Sequence, residues 1–415
     1  MKMKEVYKRE TCRVCTRKLL KKVLTLGPTP LANEFLTAQE IDKGEKFYPL
    51  DVYYCSSCSF LQLGHVISAE ILFGNYVYVS STSKVFIKHF EDFASHVSSQ
   101  LSLGSNPFVI DLGSNDGILL KPFQKIGADV LGIEPAMHIA KIAQKEGIET
   151  IAEYFSKKLA RTVVKKYGKA DVVAATNVFA HIDDLDEVIG GLQILLKEDG
   201  VFIMEAPYLI DFLKYRYFDL VYHEHLSYWS VDPLRTLFKR FNMSVFHVEK
   251  VPVHGGSIRV YVKKESSKRK IEKSVGRFLE EEKKMKLKNI KTYQDFALKI
   301  YENKVRLLEL LAKLKADGKR IAAYGAPAKG NTLLNFFSIG QETLDFIVDD
   351  SPMKQGLFSP GKHLEVISSV EMYKRKPDYL LILAWNFSES IMKMHARFTD
   401  AGGKFIIPVP KPRIV

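Results

Sequence analysis

The chain has 415 residues, 46% of them hydrophobic, so it can form two or three domains with buried cores and is not intrinsically disordered. No apolar run approaches the ~20 residues that span a bilayer, and the N-terminal stretch lacks a signal-peptide core. We therefore expect a soluble cytoplasmic protein with no membrane partner.

The net charge is +13, and the stretch from Lys263 to Lys291 holds 12 Lys or Arg against 5 Glu. A solvated helical face is the favoured interpretation, and a phosphate-binding arm is the alternative.

The four cysteines of the chain form two Cys-x-x-Cys knuckles, Cys12 with Cys15 and Cys55 with Cys58. Disulfides are uncommon in the cytoplasm, whereas four thiolates in paired knuckles suit tetrahedral zinc without an open position for catalytic water. We therefore predict a structural zinc site in an N-terminal module of residues 1–70. Four unrelated buried or redox-active thiols are the alternative.

The rest of the chain predicts an α/β protein with two Rossmann-like units. Residues 71–262 begin with a helix after Ser83 and continue with strand, glycine-rich turn and helix in alternation, which is typical of a doubly wound parallel sheet. Residues 263–318 are rich in Lys, Glu and Leu and predict a helical linker. Its apolar stripe comprises Phe296, Ile300, Leu307 and Leu311. Residues 319–415 carry a second β–α series.

The first glycine-rich turn runs from Asp111 to Gly117, after a predicted strand. Small residues allow a ligand to approach the strand end, and Glu134, which ends the next strand, can accept hydrogen bonds from a ribose diol. Asn115 stands where NAD-binding turns have a second close glycine for the pyrophosphate, a group that S-adenosylmethionine (SAM) lacks. We therefore predict a class I SAM methyltransferase domain. The predicted cofactor contacts are Asp111, Gly113, Asn115, Gly117, Glu134 and Asn177. NAD binding and a purely structural turn are the alternatives.

A cluster of titratable side chains follows this sheet in Tyr222, His223, Glu224 and His225. Histidine transfers protons near neutral pH, and a carboxylate can orient or charge a neighbouring ring. In an extended segment the two histidines would share one face, with Tyr222 and Glu224 on the opposite face. Base catalysis is the favoured interpretation. A metal site with further ligands, or satisfied structural polar groups, are the alternatives.

Further candidates lie near other strand ends. Asn177 and His181 follow a predicted parallel strand, at the sheet edge where ligands bind, so His181 is a candidate second acid or base. A hydrogen bond that closes a loop is its alternative role. Tyr76 is either a lid phenol or a core aromatic residue. His254 precedes two glycines at a strand edge and is a candidate for substrate binding.

The second glycine-rich turn, from Gly325 to Thr332, nearly matches a P-loop. Asn331 stands where lysine should follow the glycine, which disfavours a nucleoside triphosphatase. A strand–loop–helix turn can still offer amides and Lys329 to a diphosphate. Lys329 and Asn331 are therefore candidate contacts for a sugar nucleotide, and a fold-stabilising turn is an equally supported alternative.

Together these motifs resemble the SAM-dependent sugar C-methyltransferases of deoxysugar biosynthesis. The stretches that carry the resemblance occur in that family's order: CRVC, CSSC, LGPTPLANEF, DLGSNDGILL, GIEPA, ATNVFAHI, YHEHLSYWS, HGGSIRVY and YGAPAKGNTLLN. The resemblance covers nearly the whole chain. It implies an N-terminal zinc module, a central SAM domain and a C-terminal Rossmann-like domain.

The resemblance also implies a substrate and an active site. The substrate would be a nucleotide-linked 4-keto-6-deoxyhexose, often a thymidine diphosphate (dTDP) sugar, methylated at C3 or C5 through a base-generated enolate. The implied active-site set is Tyr76, Asn177, His181, Tyr222, Glu224 and His225, with His225 as the base. The family architecture does not demand a dimer, so we expect a monomer.

The main alternative is a zinc-containing nucleic-acid methyltransferase, which the basic charge and the knuckles suggest. Amino methylation calls for an Asn/Asp-Pro-Pro-aromatic strip, and ATNVFAHI, which occupies roughly that region, has no proline. A Pro-Cys nucleophile for cytosine methylation is also absent, because all four cysteines lie in the knuckles. We therefore expect no nucleic-acid partner. A non-catalytic SAM- or sugar-nucleotide-binding module is a second alternative, against which the Tyr222–His225 cluster argues.

Overall fold

The computed structural model of the chain describes residues 5–73, Ser81 and 84–415. Within these ranges the strands form a small N-terminal ribbon and three larger sheets, one for each predicted module. Among the described helices, none is long and apolar enough to cross a membrane. The predicted α/β class, with a zinc-binding module before two Rossmann-like units, is confirmed.

The N-terminal module is built from antiparallel strands. Its elements are β1 Val6–Lys8, β2 Leu20–Thr29, β3 Tyr48–Cys55, β4 Leu61–Leu63, β5 His65–Ile67, α1 Ala69–Phe73 and the 3₁₀ turn Ile41–Lys43. Alternate residues of β3, among them Leu50 and Val52, are buried, as the two-residue period of a half-buried strand requires. The sheet order is β11-β4-β3-β2, and its edge strand β11, Ser227–Tyr228, comes from the central domain.

The central domain is a sheet of seven strands in the order β12-β13-β10-β9-β6-β7-β8. Its strands are β6 Phe108–Leu112, β7 Asp129–Ile133, β8 Thr150–Ile151, β9 Ala170–Thr176, β10 Leu196–Pro207, β12 Met243–Val251 and β13 Ser257–Lys264. Strands β6 to β10 are parallel, and β13 runs antiparallel to both β10 and β12. The strand order reverses between β6 and β9, so ligands are expected at the carboxyl ends of these two strands.

Helices cover both faces of this sheet. They are α2 Lys84–Leu101, α3 Leu120–Lys125, α4 Met137–Lys145, α5 Lys157–Tyr167, α6 Leu185–Leu195, α7 Leu209–Tyr215 and α8 Val231–Lys239, with 3₁₀ turns Phe218–Leu220 and Val253–Gly255. The helix predicted after Ser83 is confirmed as α2, since Phe90, Phe93 and Val97 are buried at helical spacing. Val85 does not share that face and is exposed.

The predicted linker forms two helices, α9 Lys273–Lys284 and α10 Ile290–Ala316. The predicted apolar stripe of α10 is buried, as Ile300 and Leu307 show. The linker also contacts the modules on either side. The Tyr54 hydroxyl donates to the carbonyl of Lys288 at 2.8 Å, and the Asn303 amide donates to the carbonyl of Pro408 at 3.0 Å. The linker therefore contacts both the N-terminal module and the C-terminal domain, and it is more than a spacer between them.

The C-terminal domain is a second, mostly parallel sheet in the order β16-β15-β14-β17-β18-β19. Its strands are β14 Ile321–Tyr324, β15 Ile347–Val348, β16 Val366–Ile367, β17 Tyr379–Ile382, β18 Lys404–Ile407 and β19 Arg413–Ile414. Its helices are α11 Ala328–Phe337, α12 Ser369–Arg375, α13 Ser388–Met394 and α14 Ala396–Asp400, with a 3₁₀ turn Trp385–Phe387. Only β19 is antiparallel among the described strands of this sheet. The module boundaries at 70, 262 and 318 stay predictions.

Candidate active site and metal site

The four cysteines of the two knuckles converge on one point. Their sulfur atoms all lie within 4.8 Å of one another, with 3.5 Å between Cys12 and Cys58 and 3.6 Å between Cys15 and Cys55. Thiolates placed 2.3 Å from a tetrahedral zinc ion are separated by about 3.8 Å. The donor set and its spacing therefore fit zinc with all four positions taken by sulfur.

The two knuckles have matching backbones. The amide of Thr16 donates to the carbonyl of Cys12 at 2.9 Å, and the amide of Ser59 donates to the carbonyl of Cys55 at the same distance. Thr16 and Ser59 both have a left-handed φ of 62°. Each knuckle is thus a tight turn that presents its two thiols to the same side.

The first glycine-rich turn leaves the carboxyl end of β6 with a left-handed backbone. Gly113 has a φ of +69°, and a Cβ atom there would lie 2.5 Å from the side chain of Val178. Only glycine allows the segment after β9 to pack so closely against this turn. The first glycine-rich turn and the segment that carries Asn177 and His181 are therefore in direct contact.

Glu134 closes the same turn. Its carboxylate accepts hydrogen bonds from the backbone amides of Asn115 at 3.0 Å and Ala136 at 2.8 Å. Burial raises the pKa of Glu134, and the two amides oppose that rise. Asp111, on β6, is also buried, and burial together with the nearby Glu134 charge raises its pKa well above the ordinary range.

Several buried polar atoms at this edge have no partner among the described residues. They are one carboxylate oxygen of Asp111, one of Asp116 and the side-chain oxygen of Asn177. Buried acceptors normally have a donor. SAM carries an ammonium group, a ribose diol and an adenine amine, which are donors of the kind these atoms lack. The residues predicted to bind the cofactor therefore fit it.

The Tyr222–His225 segment forms a turn, so the predicted division of its side chains between two faces is wrong. The amide of His225 donates to the carbonyl of Tyr222 at 2.9 Å, which bends the chain. His223 points to the N-terminal module, where its Nε2 contacts the carbonyl of Tyr48 at 3.2 Å. Burial lowers the pKa of His223 to about 4. The turn brings Tyr222 and His225 together, both half-buried.

The hydrogen bonds of His225 define its tautomer. Nδ1 lies 2.8 Å from the carbonyl oxygen of Leu220, which can only accept, so Nδ1 carries the hydrogen. When the ring is neutral, Nε2 is an acceptor, and it lies 2.7 Å from the Tyr222 hydroxyl, which can donate to it. A backbone carbonyl thus orients a basic nitrogen towards a phenol.

His181 lies beside this pair. Its ring centre is 5.1 Å from that of His225, at an angle of 60°. Burial lowers the pKa of His181 to about 4, although the carbonyl groups of Glu224 and Asn177 oppose the change. His181 is therefore neutral at pH 7, and it can donate or accept one hydrogen bond without carrying charge.

A buried ion-pair network holds the backbone of Asn177 in position. The sequence analysis did not predict this network. Glu205, near the end of β10, contacts His89 of α2 at 2.7 Å and Arg259 of β13 at 2.9 Å. Its carbonyl accepts the amide of Asn177 at 2.8 Å, and Asn177 has a left-handed φ of 58°. Arg259 belongs to the HGGSIRVY stretch. A charged residue within an apolar strand is the feature of the sequence that could have predicted a buried ionic partner.

Glu224 contacts the N-terminal module. Its carboxylate accepts a hydrogen bond of 2.6 Å from the side-chain amide of Asn33. Burial raises the pKa of Glu224 to about 7, and the Asn33 bond opposes the rise. Sequence reasoning assigned no role to Asn33, although it lies within the LGPTPLANEF stretch.

The second glycine-rich turn places Lys329 at a contact between two domains. Its ammonium group lies 3.7 Å from the ring centre of Trp385, whose indole donates a hydrogen bond to Asp219. Burial lowers the pKa of Lys329 to about 8, and the Asp219 charge opposes the change. Burial raises the pKa of Asp219 to about 6, with Lys329 and the indole opposing. A cation and an aromatic face are thus paired there.

Asn331 lies apart from this pair. Its side-chain amide is buried and donates to the carbonyl of Ala32 at 2.8 Å, which joins α11 to the N-terminal module. Tyr76, the candidate lid phenol, lies outside the described residues, and so does the side chain of His254.

The second turn is also closed by an acid that sequence reasoning missed. Asp349 follows β15 and accepts hydrogen bonds from the amides of Ala326 at 2.6 Å and Ser351 at 2.9 Å. Glu134 closes the first turn in the same way. Gly325 of the second turn has a φ of +88°, and Gly113 of the first turn has a similar left-handed φ of +69°. The two Rossmann-like units therefore share one arrangement at the glycine-rich turns that follow β6 and β14.

Comparison with known proteins matches each part of the chain. Three family models match: "Putative zinc binding domain" over residues 12–73, "Methyltransferase domain" over 86–248 and "C-methyltransferase C-terminal domain" over 252–410. The C-methyltransferase NovU of Streptomyces niveus is 36% identical over 406 residues, which cover 98% of this chain and 97% of NovU. A ubiquinone biosynthesis O-methyltransferase of Bordetella avium is 31% identical over 22% of this chain and 39% of its own length.

Solved structures are similar over about half of this chain. The PH0226 protein of Pyrococcus horikoshii OT3 is 16% identical, with a TM-score of 0.38, over 48% of this chain and 100% of its own. Magnesium protoporphyrin IX methyltransferase of Synechocystis with bound SAH is 15% identical, with a TM-score of 0.34, over 47% of this chain and 91% of its own. Because these scores are low, the assignment rests on the sequence matches. By those matches the chain belongs to the C-methyltransferase family that includes NovU, and it is a SAM-dependent C-methyltransferase.

Proposed function

We propose that the protein transfers the methyl group of SAM to C3, or to C5, of a nucleotide-linked 4-keto-6-deoxyhexose. The observation that carries this proposal is the placement of His225, whose Nδ1 lies against the carbonyl of Leu220 and whose Nε2 faces the Tyr222 hydroxyl, beside the segment that packs on the first glycine-rich turn. A basic nitrogen held in one tautomer is what removal of a carbon-bound proton requires.

The chemistry follows from the ketone. A 4-keto group acidifies the hydrogens on C3 and C5, and loss of one as a proton leaves the electron pair of the C–H bond in an enolate. When bound, SAM supplies an electrophilic methyl group, so that a new C–C bond forms as the methyl–sulfur bond breaks and the sulfur leaves as a neutral thioether. The protein therefore has to remove a proton, stabilise an enolate oxygen and align two carbons.

Tyr222 and His225 would remove the proton together. Because the Nε2 lone pair is occupied by the Tyr222 hydroxyl, we assign Tyr222 as the relay: its oxygen takes the proton from the sugar as its own hydrogen passes to Nε2. His225 is then the general base and becomes an imidazolium. The carbonyl of Leu220 stabilises that cation through Nδ1–H.

His181 and Tyr76 are the candidates for stabilising the enolate oxygen. His181 is neutral at pH 7, and a neutral imidazole has one N–H group that can donate a hydrogen bond to an enolate oxygen. Glu224 would keep the turn in place through Asn33, because its carboxylate is buried and bonded to that residue. Asn177 lies beside the first glycine-rich turn, which supports its assignment as a cofactor contact.

The nucleotide would bind towards the C-terminal domain. Lys329 is the cation that we propose for a diphosphate, and its ammonium group lies over the ring of the neighbouring Trp385. His254 and Asn331 remain candidate contacts, and dTDP is the carrier that the family resemblance favours. A monomer that works in the cytoplasm without nucleic acid remains our prediction.

Product analysis tests the proposal. The purified protein is incubated with SAM labelled with ¹³C in the methyl group and a panel of nucleotide-linked 4-keto-6-deoxyhexoses, and carbon NMR follows the label. We expect a new methyl on the ring carbon next to the ketone. A label on oxygen or nitrogen would contradict the enolate mechanism, and no transfer to any sugar of the panel would contradict the substrate class.

A further inference from the structure

Arg13 is an unusual residue of the first cysteine knuckle. It lies between Cys12 and Cys15, yet its side chain points into the protein and is only 1% exposed. A buried guanidinium group loses several kcal/mol of hydration, which hydrogen bonds and a carboxylate must offset. The partners of Arg13 therefore show what this buried charge holds.

Those partners belong to the two turns of the candidate active site. The Nε atom of Arg13 contacts the carboxylate of Asp183 at 2.8 Å, and Asp183 follows His181 by two residues. The Nη1 atom donates to the carbonyl of Leu63 at 2.7 Å and lies 3.4 Å from the carbonyl of Leu226, which follows His225. One side chain thus contacts both histidine-bearing turns.

The two turns are also bonded to each other at this point. The amide of Leu226 donates to the carbonyl of Ala180 at 2.7 Å, and the carbonyl of Leu226 accepts the amide of Leu63 at 2.9 Å. Strand β4, which carries Leu63, leads out of the second knuckle. The guanidinium of Arg13 therefore lies where the zinc module, the His181 turn and the His225 turn meet.

We propose that Arg13 is a positioning residue that holds the rings of His181 and His225 in their reactive arrangement from within the zinc knuckle. Asp183 fixes the Nε side of the guanidinium, and the Nη1 side fixes the carbonyls of Leu63 and Leu226. The N-terminal module is then a part of the catalytic apparatus as well as a folding unit. This inference rests on the proposed function for the reaction that it serves.

Asp183 has other partners, which makes the test specific. It also contacts Arg9 at 3.0 Å and the hydroxyl of Tyr7. In an Arg13→Lys variant the positive charge and the Asp183 anchor remain, but a single ammonium group cannot reproduce the fork that reaches the carbonyls of Leu63 and Leu226. The variant thus isolates the contact with the His225 turn.

The chain offers a matched control in Arg240. Its Nη1 donates to the carbonyl of Val14 at 2.7 Å, and its Nη2 contacts Asp186 at 2.6 Å. Arg240 therefore joins the same knuckle to the central domain through an arginine–aspartate pair, with neither of these bonds reaching the two histidine-bearing turns. Arg240→Lys is the control for general loosening of the interface.

The experiment compares wild type, Arg13→Lys, Arg13→Met and Arg240→Lys as full-length zinc-loaded proteins. Nitrogen NMR of ¹⁵N-histidine-labelled protein reports the tautomers of His181 and His225, assigned with single His→Gln variants. SAM affinity, zinc content and kcat are measured on the same samples. The histidine spectra and SAM binding need no sugar substrate.

We expect Arg13→Lys and Arg13→Met to retain zinc and SAM affinity but to lose the single Nδ1–H tautomer of His225 and about 100-fold in kcat. Arg240→Lys should match wild type.

Unchanged ring signals and kcat in Arg13→Lys would overturn the proposal, as would equal changes in Arg240→Lys. Zinc loss and unfolding of both Arg13 variants would assign the residue to stability and also overturn it. If wild type fails to methylate any 4-ketosugar, the proposed function fails, while the histidine spectra still decide the role of Arg13.

Discussion

The side-chain amide of Asn33 lies 2.6 Å from the carboxylate of Glu224 and donates a hydrogen bond to it across the boundary between the N-terminal module and the central domain. Burial raises the pKa of that carboxyl to about 7. The loop of the zinc module thus stabilises the ionised form of a carboxyl group within the turn that carries Tyr222 and His225. Two of our predictions concern this boundary.

The first prediction concerns stability against pH. A carboxyl whose pKa rises from 4.5 to about 7 on folding contributes stability that is fully present below pH 4.5 and is lost as pH rises through 7. Glutamine cannot ionise, so Glu224→Gln lacks this loss. As pH rises from 4.5 to 7, its free energy of unfolding should therefore increase relative to that of wild type by on the order of 3 kcal/mol. Denaturant unfolding at a series of pH values measures the difference.

Other buried groups titrate in the same range, so only the difference between the two proteins is informative. Burial also raises the pKa of Glu282 to about 7. Glu282→Gln is therefore the matched variant, because it removes a buried carboxyl group with a similar pKa outside the Tyr222–His225 segment. An equal pH dependence of wild type and Glu224→Gln would contradict the raised pKa of Glu224.

The second prediction concerns the metal. Chelation of zinc should free the knuckles and loosen the pairing of β4 with β11. Hydrogen exchange should then accelerate at least about 10-fold at the amides of Leu63 and Leu226, which bond across this junction. The amide of Leu381, in the C-terminal sheet, is the internal control. Equal exchange at Leu63 with and without zinc would show that the metal does not support the junction.

The third prediction concerns the cofactor. Asp111→Asn and Glu134→Gln should each weaken SAM binding by about 10- to 100-fold, because each replaces a buried carboxyl group at the carboxyl edge of the sheet. Isothermal titration calorimetry measures the affinity. Asp129→Asn, at the exposed opposite end of β7, should bind SAM as wild type does. If all three variants bind alike, the cofactor lies elsewhere.

The fourth prediction concerns Tyr222. Replacing it with Phe removes the hydroxyl that donates to His225 Nε2 and should slow exchange of the proton next to the ketone by about 100-fold. SAM affinity should not change. Tyr48→Phe is the control, since Tyr48 contacts the cluster through its carbonyl, to which His223 bonds. Exchange at the wild-type rate in Tyr222→Phe would remove Tyr222 from the relay.

Much of the architecture follows from local patterns in the sequence. Hydrophobic periodicity predicts α2 and α10, and two Cys-x-x-Cys knuckles predict the convergence of Cys12 and Cys58, because each pattern is recognised from the spacing of residues near in sequence. The small residues of the first glycine-rich turn likewise predict a close approach, and the structure shows that Val178 makes it.

Contacts between distant segments could not be predicted in this way. The division of the Tyr222–His225 segment between two faces assumed an extended strand, but the segment is bent because β11 joins the sheet of the N-terminal module. Asn33 and Arg13 carry no local signal either. Their partners, Glu224 and Asp183, lie more than a hundred residues away, and only the packed fold brings them together.

Proton exchange in deuterated water tests the central claim most directly. The protein is incubated without SAM with a nucleotide-linked 4-keto-6-deoxyhexose, and proton NMR follows loss of the signal next to the ketone. Wild type should exchange this proton, and His225→Gln should do so about 1,000-fold more slowly while binding SAM normally. Exchange by His225→Gln at the wild-type rate would contradict the assignment of His225 as the base.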